Sequence, residues 1–147
     1  MAKFNYRMQN ILDVKLKLEN QAKISYSQAN AKLREEEGKL EVLMKRRALY
    51  EQEAKQLVEG KIELLEIQRT RQAIETMKVL IRKQMLEVSV AEKNVEAARK
   101  RLEELMKDRK THEKLKETAF EEFKQELIAE DNKVVDELVS YTYGKDK

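Results

Sequence analysis

Across 147 residues the chain has no proline and only three glycines, Gly38, Gly60 and Gly144. Proline and glycine are the main punctuation of turns and loops. A chain with so little of either has few places to turn. Charged residues make up 40% of it, and its apolar residues recur at helical spacing. Together these features predict long, solvent-bathed helices instead of a globule with a pocket. Function is then expected in surfaces offered to partners.

A coiled-coil seam places apolar residues at alternating steps of three and four. From Leu33 the series runs Glu36, Leu40, Leu43, Arg47, Tyr50, Ala54, Leu57, Lys61 and Leu64. Most of these are apolar, with polar breaks. Upstream the series is Met8, Ile11, Lys15, Leu18, Ala22, Ser25 and Ala29. It joins the first through an extra four-residue step from Ala29 to Leu33, a stutter that would locally unwind the supercoil. A second seam starts at Ile74, Met77 and Ile81 and ends at Ala119 and Phe123. Its weak stretch is the polar run Arg109, His112 and Lys116.

Two seams with a break between them predict an all-α fold, a long antiparallel two-helix coiled-coil hairpin spanning residues 1–147 as one domain. The first helix is expected over about 5–58 and the second over about 64–142. The turn is placed near Gly60, because glycine ends helices readily in the left-handed conformation. Gln68–Thr70 is the rival turn, with Thr70 as its N-cap. Gly38 follows three glutamates and reads as intrahelical. At 1.5 Å rise per residue, such helices would reach about 80–120 Å.

The Gly60 turn leaves the second helix longer than the first. In that register everything after about Ala119 has no partner helix. Phe120, Phe123, Leu127, Val134 and Leu138 nevertheless fall at helical spacing, widened by Ile128, Val135 and Val139. An apolar stripe of this length has two readings: it docks into another protein, or the turn is later and the stripe packs on the first helix. The segment is also distinct in charge. Residues 111–147 carry 6 basic and 10 acidic groups, a net −4, against +3 for residues 1–60 and +4 for residues 61–110.

Several classes of chemistry are excluded. The three glycines are too far apart for a phosphate-binding loop. The chain lacks cysteine, so thiol chemistry and disulfides are absent. His112 is the only histidine; it reads as a polar break in the seam, so no metal is expected. The glutamates Glu35–Glu37, Glu103–Glu104 and Glu121–Glu122 lack the desolvated pocket that tunes a catalytic carboxylate. No catalytic residue and no cofactor are expected, and the chain reads as a non-enzyme. A net charge of +3 argues against nucleic acid, which selects a clustered basic face. No apolar stretch approaches the roughly 18–20 residues of a membrane span, so no membrane insertion is expected and the chain reads as cytoplasmic. The runs Lys45–Arg47 and Arg99–Arg101 read as solvated helix faces, with contact to an acidic partner as the alternative.

The two chain ends narrow the field. The start, Phe4-Asn5-Tyr6-Arg7-Met8-Gln9-Asn10-Ile11-Leu12-Asp13-Val14-Lys15, resembles the opening of the flagellar export protein FliJ family. The pattern is aromatic, any residue, aromatic, Arg and apolar, then an apolar pair and Lys. The stretch from Glu113 to Glu117, with Phe120, Phe123, Glu126, Glu130, Lys133, Asp136 and Glu137, resembles the family's C-terminal signature.

The resemblance implies a non-catalytic component of the flagellar type III export apparatus. It implies a coiled-coil hairpin like the central stalk of rotary ATPases. The end carrying both termini would insert into the hexameric export ATPase ring, through Met8, Ile11, Phe120, Phe123, Leu127, Val134 and Leu138. A surface nearer the apex would contact the cytoplasmic domain of the export gate, a membrane protein, through Leu43, Tyr50, Met77 and Leu80. Arg46 and Ala73 stand where some relatives carry aromatics. Export chaperones are implied as further partners, and the cytoplasmic face of the inner membrane at the flagellar base as the location. The alternatives are a generic coiled-coil scaffold and the central-stalk subunit of a rotary ATPase. The latter usually needs a globular domain between its helices, and the residues near Gly60 leave no room for one.

Overall fold

The computed structural model describes residues 3–145, which form two α-helices, α1 (Gln9–Glu59) and α2 (Leu64–Lys145). Among the described residues there is no strand. The fold is an all-α two-helix hairpin. The helices persist because nothing in them competes with helical geometry and many ion pairs support it. Lys45 reaches back to Glu41 at 3.0 Å, Lys39 to Glu35 at 3.4 Å, and Arg47 forward to Glu51 at 2.9 Å. Pairs of this spacing contribute about 0.2–0.5 kcal/mol each to a helix.

The break between the helices covers Gly60–Glu63. The Glu63 carbonyl accepts the amide of Ile67 at 3.1 Å and so opens α2. Thr70 lies buried inside α2. The left-handed glycine expected at the turn is not found, because no described glycine has a positive φ. The chain leaves α1 through ordinary backbone that any residue can adopt, so Gly60 is not a conformational requirement.

The described residues divide into two compact units, one of residues 21–102 and the other of 3–20 with 103–145. In the first, the packed row of α1 is Ala22, Tyr26, Ala29, Leu33, Glu36, Leu40, Leu43, Arg47, Tyr50, Ala54 and Leu57, each buried or half-buried. Its steps alternate between four and three throughout, so the stutter expected at Ala29–Leu33 is absent. Tyr26 faces α2, and Ser25 is exposed. Across from this row stand Thr70, Ile74, Met77, Ile81, Gln84, Val88, Ala91, Val95, Ala98 and Leu102.

In the second unit the α1 row is Leu12, Lys15 and Glu19. Leu12 is 4% exposed, whereas Ile11 is 42% exposed. In the upstream row Lys15, Ala22 and Ala29 stand as expected, whereas Leu12, Glu19 and Tyr26 take the places expected for Ile11, Leu18 and Ser25. Choosing apolar side chains favoured Ile11 and Leu18; the heptad instead puts the buried carboxylate of Glu19 in the seam, because α2 supplies its counter-charge. α2 continues the packed row through Leu105, Arg109, His112, Lys116, Ala119 and Phe123.

Gly38 lies within α1, and a methyl group added there would meet nothing within 4 Å. Gly38→Ala is expected to stabilise the hairpin by about 1 kcal/mol, the difference between these residues in a helix interior. A raised Tm in thermal unfolding by circular dichroism would bear this out. An unchanged or lowered Tm would count against it.

Candidate interaction surfaces

In the unit of residues 3–20 and 103–145, two layers precede an uncovered end. The inner layer is ionic. The guanidinium of Arg109 donates through Nε and Nη2 to both carboxylate oxygens of Glu19, the second bond at 3.2 Å, and through Nη1 to Glu113 at 2.9 Å. The Glu19 hydrogen bond holds the Arg109 pKa above its usual value. Beside it Lys15 pairs with Asp108 at 2.7 Å and holds that carboxyl below the ordinary range. His112 Nε2 lies 3.6 Å from the same Asp108. Arg109, in the polar run of the second seam, is therefore part of a cross-helix charge layer with Glu19, Lys15 and Asp108.

The outer layer is aromatic. Residues 3–6 precede α1 and are not helical. The turn that starts α1 is closed by the Gln9 amide on the Tyr6 carbonyl at 3.1 Å. This places Phe4 edge-on to Phe120 at 5.1 Å and tilted against Phe123 at 5.4 Å. Tyr6 stacks on Phe4 at 6.4 Å, and Lys124 sits 4.8 Å over the Phe120 ring. The expectation that the stripe loses its partner after Ala119 is corrected here. Phe120 and Phe123 have a partner in the N-terminal segment.

Leu127 is half-buried. From Ile128 to Thr142 every side chain is exposed, including Val134, Val135, Leu138 and Val139. Met8 and Ile11 are exposed at the start of α1. Of the expected ring-docking residues, the structure thus brings Phe120 and Phe123 together under Phe4. It leaves Met8, Ile11, Val134 and Leu138 open to solvent.

In the unit of residues 21–102, three of the four expected gate-facing residues are seam residues. Leu43 and Tyr50 are half-buried in the row of α1, and Met77 is 8% exposed in that of α2. Leu80 stands beside the seam at 37%. The open neighbours are Val42 and Leu49, which sequence reading passed over because they lie one position off the seam. Gly38, Lys39, Val42, Leu43 and Gln84 line a groove of about 480 Å³ between the two helices.

The groove is anchored by Glu36. Gln84 Nε2 donates to the Glu36 backbone carbonyl at 2.9 Å and to Oε2 at 2.5 Å, and Lys32 reaches Oε1 at 3.0 Å. These bonds, Gln84's first, pull the Glu36 carboxyl down to about 2 from an ordinary 4.5. At the hairpin apex, Val58, Ile62, Leu64 and Leu65 are exposed. Among the described residues no group of His, Cys, Asp or Glu is placed to hold a metal ion, and no helix is long and apolar enough to cross a membrane.

The fold defines an all-α two-helix hairpin consistent with a coiled coil. The family model for the flagellar FliJ protein matches residues 4–147. The chain belongs to that family, and the family is a non-catalytic component of the flagellar export apparatus. Searches among curated proteins and among solved structures found no match.

Two measurements check the layers. The unfolded chain protonates Glu36 near its ordinary 4.5, whereas the folded chain keeps it ionised down to about 2. Its stabilising effect is complete above about pH 4.5 and is lost as pH falls through about 2. Tm should fall across that window, and Glu36→Gln should flatten the slope; an equally steep slope in the variant would exclude Glu36 as its source. Separately, Phe4→Ala removes three aromatic pairs, with Tyr6, Phe120 and Phe123, worth about 0.5–1.5 kcal/mol each beyond their buried area. A lowered Tm is expected, and an unchanged one would show that the clasp does not bear load.

Proposed function

We propose that the chain is a stalk of the flagellar type III export apparatus that docks into the hexameric export ATPase by its terminal end and meets the export gate through the unit nearer the apex. The observation that carries this reading is the exposed, acidic and apolar stretch from Ile128 to Thr142. It continues α2 beyond the aromatic clasp, and its side chains are open to a partner. Val134 and Leu138 supply apolar contact there, with Met8 and Ile11 exposed at the start of α1 in the same unit. Each large apolar side chain buried on docking contributes roughly 1.5–3 kcal/mol.

For the gate, Leu80 with the exposed Val42 and Leu49 is the accessible part of the expected surface, while Leu43, Tyr50 and Met77 support it from the seam. Export chaperones are further partners in this reading, and the working location is cytoplasmic, at the base of the flagellum. The mechanism is regulatory. One asymmetric hairpin in a sixfold ring changes the ring only by binding some of its states better than others.

Truncation after Leu127 tests the reading while leaving the clasp intact. Phe120 and Phe123 are poor probes, since they also pack on Phe4. The truncated chain, and full-length Val134→Ser with Leu138→Ser, should lose copurification with the ATPase and stimulation of its turnover. Tm should stay close to that of the parent. Retained stimulation by both variants would overturn ring docking through this segment.

A further inference from the structure

The aromatic clasp covers the root of the stripe to which docking is assigned. Phe120, Leu127, Val134 and Tyr141 stand one heptad apart, Phe123 lies four residues before Leu127, and Leu138 four after Val134. All six therefore share one face of α2. Toward its end that face is open, with Val134, Leu138 and Tyr141 exposed. At its root it is closed, because the Phe4 ring rests on Phe120 at 5.1 Å and on Phe123 at 5.4 Å. The cover comes from residues 3–6, which are not helical, ahead of the first residue of α1 at Gln9.

This cover is thin. Phe120 keeps 38% of its surface exposed under it. Phe4 and Phe120, with Leu12 and Leu16, line an open groove of about 550 Å³, so the rings are not packed as a core would pack them. The Tyr6 hydroxyl is buried with no hydrogen-bond partner among the described residues. The closed clasp thus carries a desolvated polar group that water would satisfy once it opened. A partner that buried both phenylalanines fully would offer them more than Phe4 does.

We infer that residues 3–8 form an autoinhibitory strap, in which Phe4 masks Phe120 and Phe123 in the free chain and is displaced on docking. The two rings then join Leu127, Val134 and Leu138 in one contact face. The inference rests on the ATPase docking proposed above for this end of α2 and adds its regulation. Large exposed apolar patches invite unspecific association, and aromatic rings are the side chains that contribute most area to an interface. Masking the two rings leaves only the outer, aliphatic part of the stripe open until a surface that fits the whole of it arrives. The apparent affinity of that partner is reduced in proportion to the fraction of chains whose strap is open.

Release of the strap tests this in the full-length chain. Phe4→Ala should lower the concentration that half-stimulates the export ATPase by about tenfold, the gain for a strap open about a tenth of the time, even as Tm falls. Adding Phe123→Ala to Phe4→Ala should cancel the gain, because the ring that the strap had covered is gone. The chain has no tryptophan, so Phe4→Trp places a single indole on the strap. Its emission, corrected for that of the ATPase, should move to longer wavelength on docking as the indole passes into water. A clasp that only holds the hairpin together gives the opposite pattern. Phe4→Ala would then weaken stimulation or leave it unchanged, and the emission would stay where it is in the free chain. Either result overturns the strap while docking through Val134 and Leu138 stands. A parent chain that neither copurifies with the ATPase nor stimulates it would overturn the docking reading, and the strap with it.

Discussion

Arg109 and Glu19 meet across the seam although 90 positions separate them in sequence. The carboxylate is buried, and the guanidinium is half-buried. Either group alone in the seam would leave an uncompensated charge out of water, which is strongly destabilising. Only a register that brings them together is tolerated. Apolar side chains of similar size accept a slide by one heptad, whereas a two-pronged guanidinium–carboxylate pair does not. In the other unit Gln84 performs the same office on Glu36. Each unit thus has a polar contact that fixes which residues face each other, and the apolar positions around it supply the burial.

The core those contacts organise is one side chain thick. Among the described residues no large side chain is sequestered from solvent to within 2%. A two-helix pair has nothing behind its seam, so most of each helix remains available to partners. That arrangement suits a non-catalytic member of an export apparatus. It also explains why the sites are rows of ordinary side chains and not a cleft with perturbed acids and bases.

The sequence made much of this legible. The seams from Leu33 to Leu57 and from Ile74 to Phe123 could be read from spacing alone, because apolar residues there hold a strict heptad. The start of α1 could not. Leu18 and Ile11 look like seam residues beside Glu19 and Leu12, and the decision lies with Arg109, far away in the chain. Arg109, in the polar run with His112 and Lys116, looked like weakness for the same reason, since its partner Glu19 sits on the other helix. The Phe4 clasp escaped because it depends on a non-helical turn, whose path no periodicity reports. Val42 and Leu49 escaped because they lie beside the seam; Val42 gains meaning only once Gln84 of α2 lines the same groove.

The separation between Phe4 and its partners has a consequence for how the protein is made. Phe4 leaves the ribosome well before Phe120 and Phe123, which lie far downstream in the chain. At roughly 5–20 residues per second, the first packed residues of α1 spend on the order of ten seconds without their complement. The contacts nearest Gly60–Glu63 close the shortest loops and cost the least chain entropy. The aromatic clasp, which closes a far longer loop, costs more chain entropy than these contacts do. Nascent α1 is therefore the stretch of this protein most in need of protection during synthesis.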